Sequence, residues 1–189
     1  MNIYKSFLET QRLRLRPFEM NDAERVAELA NDYSIYEMTL RLPHPYTRHD
    51  AEQWIAMHPQ LRESGTETPF AIILKQVNAL VGSISLKDFD PHNKSAEIGY
   101  WIGRTWWNKG IVTEAAQRLL KYGFEELGLN RIHGNFIPKN VASQKVMEKI
   151  GMSREGLLRQ KVLKDGVFED IVMYSILAEE YFKMKKPEI

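Results

Sequence analysis

The chain of 189 residues contains no cysteine. Disulfides, thiolate metal sites and cysteine nucleophiles are thereby excluded, and the composition suits a reducing compartment. A surplus of one charge is also lacking: 26 Lys and Arg stand against 25 Asp and Glu, a formal net charge of +1. Bulk electrostatics therefore draw the chain to neither nucleic acid nor an anionic membrane. No apolar run nears the roughly 20 residues of a membrane span, and "MNIYKSFLETQRLRLRPF" has no signal-peptide core. A cytoplasmic protein is the expectation. His44, His49, His58, His92 and His133 form no pair at helical metal spacing beside an acid, so no metal is assigned. What is present is an ordinary globular composition, 43% hydrophobic and 27% charged, in a length that suits one domain over residues 1–189.

Periodicity divides the chain into elements. "RLRLRPF" alternates apolar and basic residues, a half-exposed strand ended by Pro17. "NDAERVAELAND" reads as a helix with Asn21 or Asp22 at its N-cap, and the turn-rich "LRLPHPYTRHD" leads to a second helix around Asp50 to Arg62. "PFAIILK" and "ALVGSISLKDF" form a hairpin across "QVNA", and "SAEIGYWIG" is a third strand. A helix follows from about Thr113 to Leu127, then the strand "RIHGNFI" and the helix "NVASQKVMEKIG", with Gly151 just past its end. Two strands joined at Asp165-Gly166 complete the pattern, and "KMKKPEI" reads as a frayed, charged tail. The order β-α-α-β-β-β-α-β-α-β-β predicts a mixed α/β fold with one helical crossover.

The segment "WWNKGIVTEA", Trp106 to Ala115, enters its helix from a glycine-bearing turn free of acids. Amides of Asn108 to Thr113 precede or begin the helix, lack intrahelical acceptors, and sit at the positive end of the dipole. That is a cradle for phosphate or pyrophosphate, with Gly110 permitting close approach and Lys109 adding charge. The alternative is an ordinary strand-to-helix turn capped by Thr113. Neither the Gly-Lys-Ser/Thr nucleotide loop nor G-x-G-x-x-G occurs.

Taken together, E-I-G-Y-W-I, W-N-K-G-I-V-T-E-A and N-x-x-S-x-x-V-x-x-K-x-G resemble the GNAT superfamily of acetyl-CoA-dependent N-acetyltransferases. Within it they resemble the branch that acetylates ribosomal-protein N-termini. The resemblance runs from "LETQRLRLRPF" to "GVFEDIVMYSIL". It implies the GNAT fold, and it implies that the cradle's anion is the pyrophosphate of coenzyme A. The superfamily cradle, Gln/Arg-x-x-Gly-x-Gly/Ala, here reads Trp107-Asn108-Lys109-Gly110-Ile111-Val112, with Val112 bulkier than usual.

The resemblance implies further roles. Backbone groups of Trp101, Ile102 and Gly103 would pair with the pantetheine arm, and a strand N–H would polarise the thioester carbonyl. Asn140 would hydrogen-bond the arm or orient its helix. Many superfamily members place a tyrosine seven residues after that asparagine as general acid, but Met147 stands here. The ribosomal-protein branch uses a serine three residues after it, which is Ser143, a hydroxyl that otherwise faces solvent. Glu97 would act as base through a water, or else forms a salt bridge at the sheet surface.

These residues imply direct acetyl transfer to a primary amine, with a protein's N-terminal α-amine as the leading acceptor. A covalent acetyl-enzyme is not expected, since no serine sits in a nucleophile-base-orienter pattern. An α-amine, of reference pKa about 7.7–8.0 against about 10.4 for lysine, is the easier nucleophile at neutral pH. Alternatives are a small amine, such as a polyamine or aminoglycoside, and a non-catalytic acyl-CoA-binding module. An acidic groove near residues 31–46 would favour polyamines. Tyr33, Tyr36 and "RLPHPYTRH" read as a substrate rim, "GLLRQKVLKDGVFED" as the opposite rim, and Trp106 as packing or a pocket wall. A homodimer is suggested by the family alone.

Overall fold

A computed structural model describes residues 7–185 of the chain. Its elements are β1 (Leu8–Glu9), β2 (Leu13–Arg16), α1 (Ala23–Ala30), α2 (Tyr33–Met38), α3 (Arg48–Glu63), β3 (Glu67–Leu74), β4 (Ala79–Asp90) and β5 (Ser95–Ile102). They continue with α4 (Ile111–Lys121), β6 (Arg131–Phe136), α5 (Val141–Lys149), β7 (Ser153–Lys164), β8 (Val167–Leu177) and α6 (Ala178–Met184). The strands form one sheet in the order β1-β2-β3-β4-β5-β6-β8-β7. Every neighbouring pair is antiparallel except β5–β6, joined by the α4 crossover.

Both faces of this sheet are covered. On one, Val26 and Leu29 of α1 and Ala51 and Ile55 of α3 pack with Ala71 and Ile73 of β3. On the other, Ala115, Ala116, Leu119 and Leu120 of α4 and Met147 of α5 pack with Phe70, Ile72, Ile84 and Ile98. Coverage on both sides explains why β3 is apolar and buried without alternation from Thr68 to Leu74. Leu119 and Leu120 are almost wholly buried, each stabilising by about 1.5–3 kcal/mol.

The expected elements are all present, and the differences have local causes. The crossover helix starts at Ile111, not Thr113, because Gly110 in the left-handed region (φ 70°) serves as its N-cap. It ends in a π-helical turn over Tyr122–Glu126, with Leu127 N–H donating to Tyr122 C=O at 3.0 Å. Asp22 does precede α1, but its carboxylate engages Arg16 at 2.6 and 2.8 Å and the Glu19 amide, not an α1 amide. β1 and α2 are additions, in stretches to which the sequence pattern assigns no element. α6 is another: Lys183 and Met184 are helical and Lys185 pairs with Glu125, so this part of the tail is not frayed. Residues 186–189, like residues 1–6 of the N-terminal stretch, lie outside the described residues.

Candidate active site

β5 and β6 are paired over three positions only: Ser95 with Arg131, Ala96 with Ile132 and Glu97 with His133. Beyond Glu97 the two strands part, β5 staying with β4 as far as Ile102 and β6 staying with β8 as far as Phe136. Strand alternation then decides which backbone groups are left over. The Gly103 N–H reaches Val81 C=O on β4 at 2.9 Å, and the Ser83–Trp101 pair lies two residues back on the same edge. Tyr100 and Ile102 therefore turn their N–H and C=O toward the fork, where no strand meets them. The Ile102 carbonyl accepts from the Trp107 indole at 2.9 Å. Trp101 and Gly103 thus serve β4, and Tyr100 and Ile102 hold the groups an added strand would use.

The fork opens into a cavity of about 400 Å³. One wall is the β5 end, Tyr100 to Ile102; a second is the turn and helix start from Trp106 to Thr113. The third runs from Lys139 to Ser143 with Lys145, Val146 and Lys149, and Ile35 and Met38 of α2 with Thr39 just past it close the remaining side. Of the residues read from the sequence, Trp101, Ile102, Trp107 to Thr113, Asn140 and Ser143 meet here. Gly103 and Glu97 do not line this space. Trp106 is both wall and packing, its ring under the Lys109 ammonium at 4.7 Å.

Asn108 (φ 59°) and Gly110 (φ 70°) are both left-handed, and the first acceptor used inside α4 is Gly110 C=O, taken by Glu114 N–H at 3.1 Å. The amides of Ile111, Val112 and Thr113 consequently have no acceptor in the helix. The cradle is anchored from behind. Arg12 donates to Lys109 C=O at 3.1 Å and to the Glu114 carboxylate at 2.5 Å, while Thr10 donates to the same carboxylate at 2.5 Å. Burial pushes the Glu114 carboxyl up, but these bonds outweigh it and hold it below the ordinary carboxylate range. Lys145 and Lys149, one turn apart on α5, add charge across the mouth from Lys109. Orphaned amides, an unpaired strand edge and three lysines fit one elongated ligand that is anionic at one end.

Ser143 does not face solvent: it is 8% exposed, and its hydroxyl lies 2.8 Å from the Tyr100 phenol. Burial pushes Tyr100 up to about 12 against the opposing Ser143 hydrogen bond, so the phenol keeps its proton. When Tyr100 donates to Ser143 Oγ, the serine's own proton is left to point into the cavity. Asn140 orients this turn, its Oδ1 accepting from Ser143 N–H at 3.0 Å and its Nδ2 donating to Met38 C=O at 3.1 Å. Met147 is buried over Gly134, where an added Cβ would stand 2.6 Å from the methionine methyl. It packs α5 onto β6 at the fork.

Glu97 and Ser143 lie on opposite sides of the sheet. Glu97 shares the Gly99 and Trp101 face, whereas Tyr100 turns to the α4 and α5 face. The Glu97 carboxylate accepts from Lys87 at 2.6 Å, with the two side chains 14% and 15% exposed, and His133 stands 3.8 Å away. Burial lowers the His133 pKa against the pull of Glu97. Tyr100, Lys145 and Lys149 are the site residues that sequence reasoning missed. The Tyr in E-I-G-Y-W-I, one step out of phase with Glu97, was the only available signal for the first.

An α/β fold forked at its single parallel seam, with an amide cradle at one end of the fork and a buried hydroxyl at the other, defines an acyl-CoA-dependent transferase. The chain belongs to the acetyltransferase (GNAT) domain family, whose model matches residues 12–153. It is an N-acetyltransferase using acetyl-CoA. It is 35% identical over 174 residues to the uncharacterized N-acetyltransferase p20 of Bacillus licheniformis, covering 92% of this chain and 97% of that one. To the Bacillus subtilis (strain 168) protein named "Putative ribosomal N-acetyltransferase YdaF" it is 34% identical over 178 residues, 90% and 94% of the two chains. The crystal structure of a GNAT-family acetyltransferase from Bacillus anthracis superposes with a TM-score of 0.82 at 33% identity, over 92% of this chain and 99% of that one. Among the described residues no helix is long and apolar enough to cross a membrane, and no group of three His, Cys, Asp or Glu could hold a metal ion.

Proposed function

We propose that the chain, acting as one catalytic unit in the cytoplasm, transfers acetyl directly to the N-terminal α-amine of a protein, with ribosomal proteins the leading acceptors. The observation that supports the direct-transfer reading is the fork, which Ser143 lines and which opens just past the Glu97–His133 pair. Amides of Asn108 to Thr113 receive the pyrophosphate of acetyl-CoA, and the free edge of Tyr100 and Ile102 pairs with its pantetheine arm. An N–H on that edge polarises the thioester carbonyl. The incoming amine loses a proton through water to Glu97, and Ser143 Oγ gives a proton to the departing sulfur, its orientation set by Tyr100 and Asn140.

The acceptor class is supported by charge as well as by the relative named for ribosomal acetylation. Both carboxylates between residues 31 and 46 already have cations, Asp32 with Arg104 at 4.0 Å and Glu37 with Lys139 at 3.9 Å. Lys109, Lys145 and Lys149 at the mouth repel a polycation, so a polyamine is disfavoured. Free-thiol release from acetyl-CoA, measured against N-terminal peptides, polyamines and aminoglycosides with a no-acceptor blank, tests this. Turnover confined to peptides is expected. Turnover confined to polyamines or aminoglycosides would overturn the acceptor assignment while leaving acetyl transfer in place.

A further inference from the structure

The C-terminal end of α2 is fastened to the rest of the molecule in an unusual way. Four consecutive carbonyls, of Tyr36, Glu37, Met38 and Thr39, each accept from a side chain more than 100 positions away in sequence. Asn140 takes the Met38 carbonyl at 3.1 Å. The other three converge on Lys164, whose Nζ lies 2.5 Å from Tyr36 O, 3.2 Å from Glu37 O and 2.7 Å from Thr39 O. An ammonium has three protons, and all three find acceptors here. The same Nζ sits 4.3 Å over the Tyr36 ring, and the Tyr36 hydroxyl donates to Asp165, the next residue of the hairpin tip.

This geometry has a reason. The last carbonyls of a helix lack intrahelical partners and carry its negative end, and α2 has only six residues with which to hold itself together. Such a helix is not stable by propensity. Its conformation comes from the donors delivered to it. Those donors belong to the β7–β8 hairpin tip and to the N-cap of α5, whereas the apolar side chains it presents, Ile35 and Met38, line the cavity together with Thr39.

We infer that Lys164 is a positioning residue for the acceptor amine: its ammonium, planted on the carbonyls of Tyr36, Glu37 and Thr39, fixes the α2 wall of the cavity against the β7–β8 hairpin. The inference rests on the proposed reading in one respect, that the acceptor enters past α2. The coenzyme A side of the cavity, Trp107 to Thr113, makes no contact with Lys164 and is independent of it.

Lys164→Met keeps the stem over Tyr36 and removes the three donors; Tyr36→Phe removes only the bond to Asp165. Both are made in the full chain and compared with wild type by amide hydrogen exchange, by coenzyme A titration, and by acetyl transfer to the peptide that turns over best. In Lys164→Met, amides of residues 35–39 should exchange at least tenfold faster, with those of 111–116 and the coenzyme A Kd within twofold of wild type. KM for the peptide should rise at least tenfold, with kcat falling less. Tyr36→Phe should show a smaller change in the same direction. Unchanged exchange at 35–39 would remove the latch, and faster exchange with an unchanged peptide KM would reduce it to a structural tie. If wild type acetylates no peptide, the acceptor reading fails, while the exchange data still decide whether Lys164 holds α2.

Discussion

The Tyr100 phenol and the Ser143 hydroxyl, 43 residues apart in the chain, meet at 2.8 Å across the opening between β5 and α5. Burial keeps Tyr100 protonated, and when the phenol donates to Ser143 Oγ the serine's own proton is free to point into the cavity. Tyr100→Phe removes one hydrogen bond, worth about 1 kcal/mol, so kcat should fall roughly fivefold. Ser143→Ala should cost about a hundredfold or more, in the range of a general acid. The double variant should be little worse than Ser143→Ala alone, since both act through one proton. Steady-state kinetics with coenzyme A binding measured beside them will show it; additive losses would mean that Tyr100 acts elsewhere.

Gly110 tests the cradle's backbone. At φ 70° any L side chain is strained, yet an added Cβ would meet only Arg12 Nη2, at 3.6 Å. Gly110→Ala should therefore cost about 1–2 kcal/mol through conformation rather than collision. For a chain of this length that lowers Tm by a few degrees, about 2–4 °C per kcal/mol. Thermal unfolding with and without coenzyme A gives the stability loss and any added loss in binding.

The anchor behind the cradle makes a separate prediction. Glu114→Gln weakens the acceptor shared by Thr10 and Arg12 while keeping the shape of the side chain. Arg12 then holds the Lys109 carbonyl less firmly, and the cradle amides lose their fixed direction. Coenzyme A affinity should drop about tenfold, close to 1.4 kcal/mol. Calorimetric titration decides this, and an unchanged Kd would show that the turn is rigid by itself.

His58 supplies a pH signature far from the cavity. It is 4% exposed between Phe18 and Trp54, and neither ring nitrogen has a hydrogen-bond partner. Burial lowers it from 6.5 to about 4, with Arg62 nearby adding to the effect. The unfolded chain thus binds a proton at higher pH than the folded one. Stability is fully present above pH 6.5 and declines as pH falls toward about 4, by about 3 kcal/mol. His58→Leu should remove this slope and be the more stable form at pH 5, because an unpaired buried polar group is lost. Denaturant unfolding of both forms at pH 5 and pH 7.5 measures the difference, and parallel pH curves would contradict it.

Legibility differed from element to element. Apolar, β-branched runs located β3, β4 and β5, and helical spacing located α4, because a sheet covered on both faces and a helix against it must supply that apolar surface. Asp165-Gly166 gave the final hairpin through its turn chemistry, and both residues do have positive φ. α2 was not legible: six residues with two tyrosines carry no period, and Lys164 and Asn140 supply its stability from afar. Along β5 the pattern is the same before and after Glu97, so nothing marks where pairing with β6 stops. Ser143 could be named from its offset to Asn140, but its burial against Tyr100 depends on the packing of α5 over the fork.

The three-pair seam between β5 and β6 bears on how the chain folds. On one side of it lie five strands in sequential antiparallel order; on the other lie β6, β8 and β7 with α5. The cradle belongs to the first half and Ser143 to the second. The two halves meet only at the parallel seam, whose partners are 36 residues apart in the chain, from Ser95 with Arg131 to Glu97 with His133. Each half supplies part of the cavity lining, so a chain with either half unmade has no site. Coenzyme A accordingly recognises only the finished molecule. At a hundred times its Kd it stabilises that state by about 2.7 kcal/mol, which makes cofactor supply one determinant of how much of the protein survives.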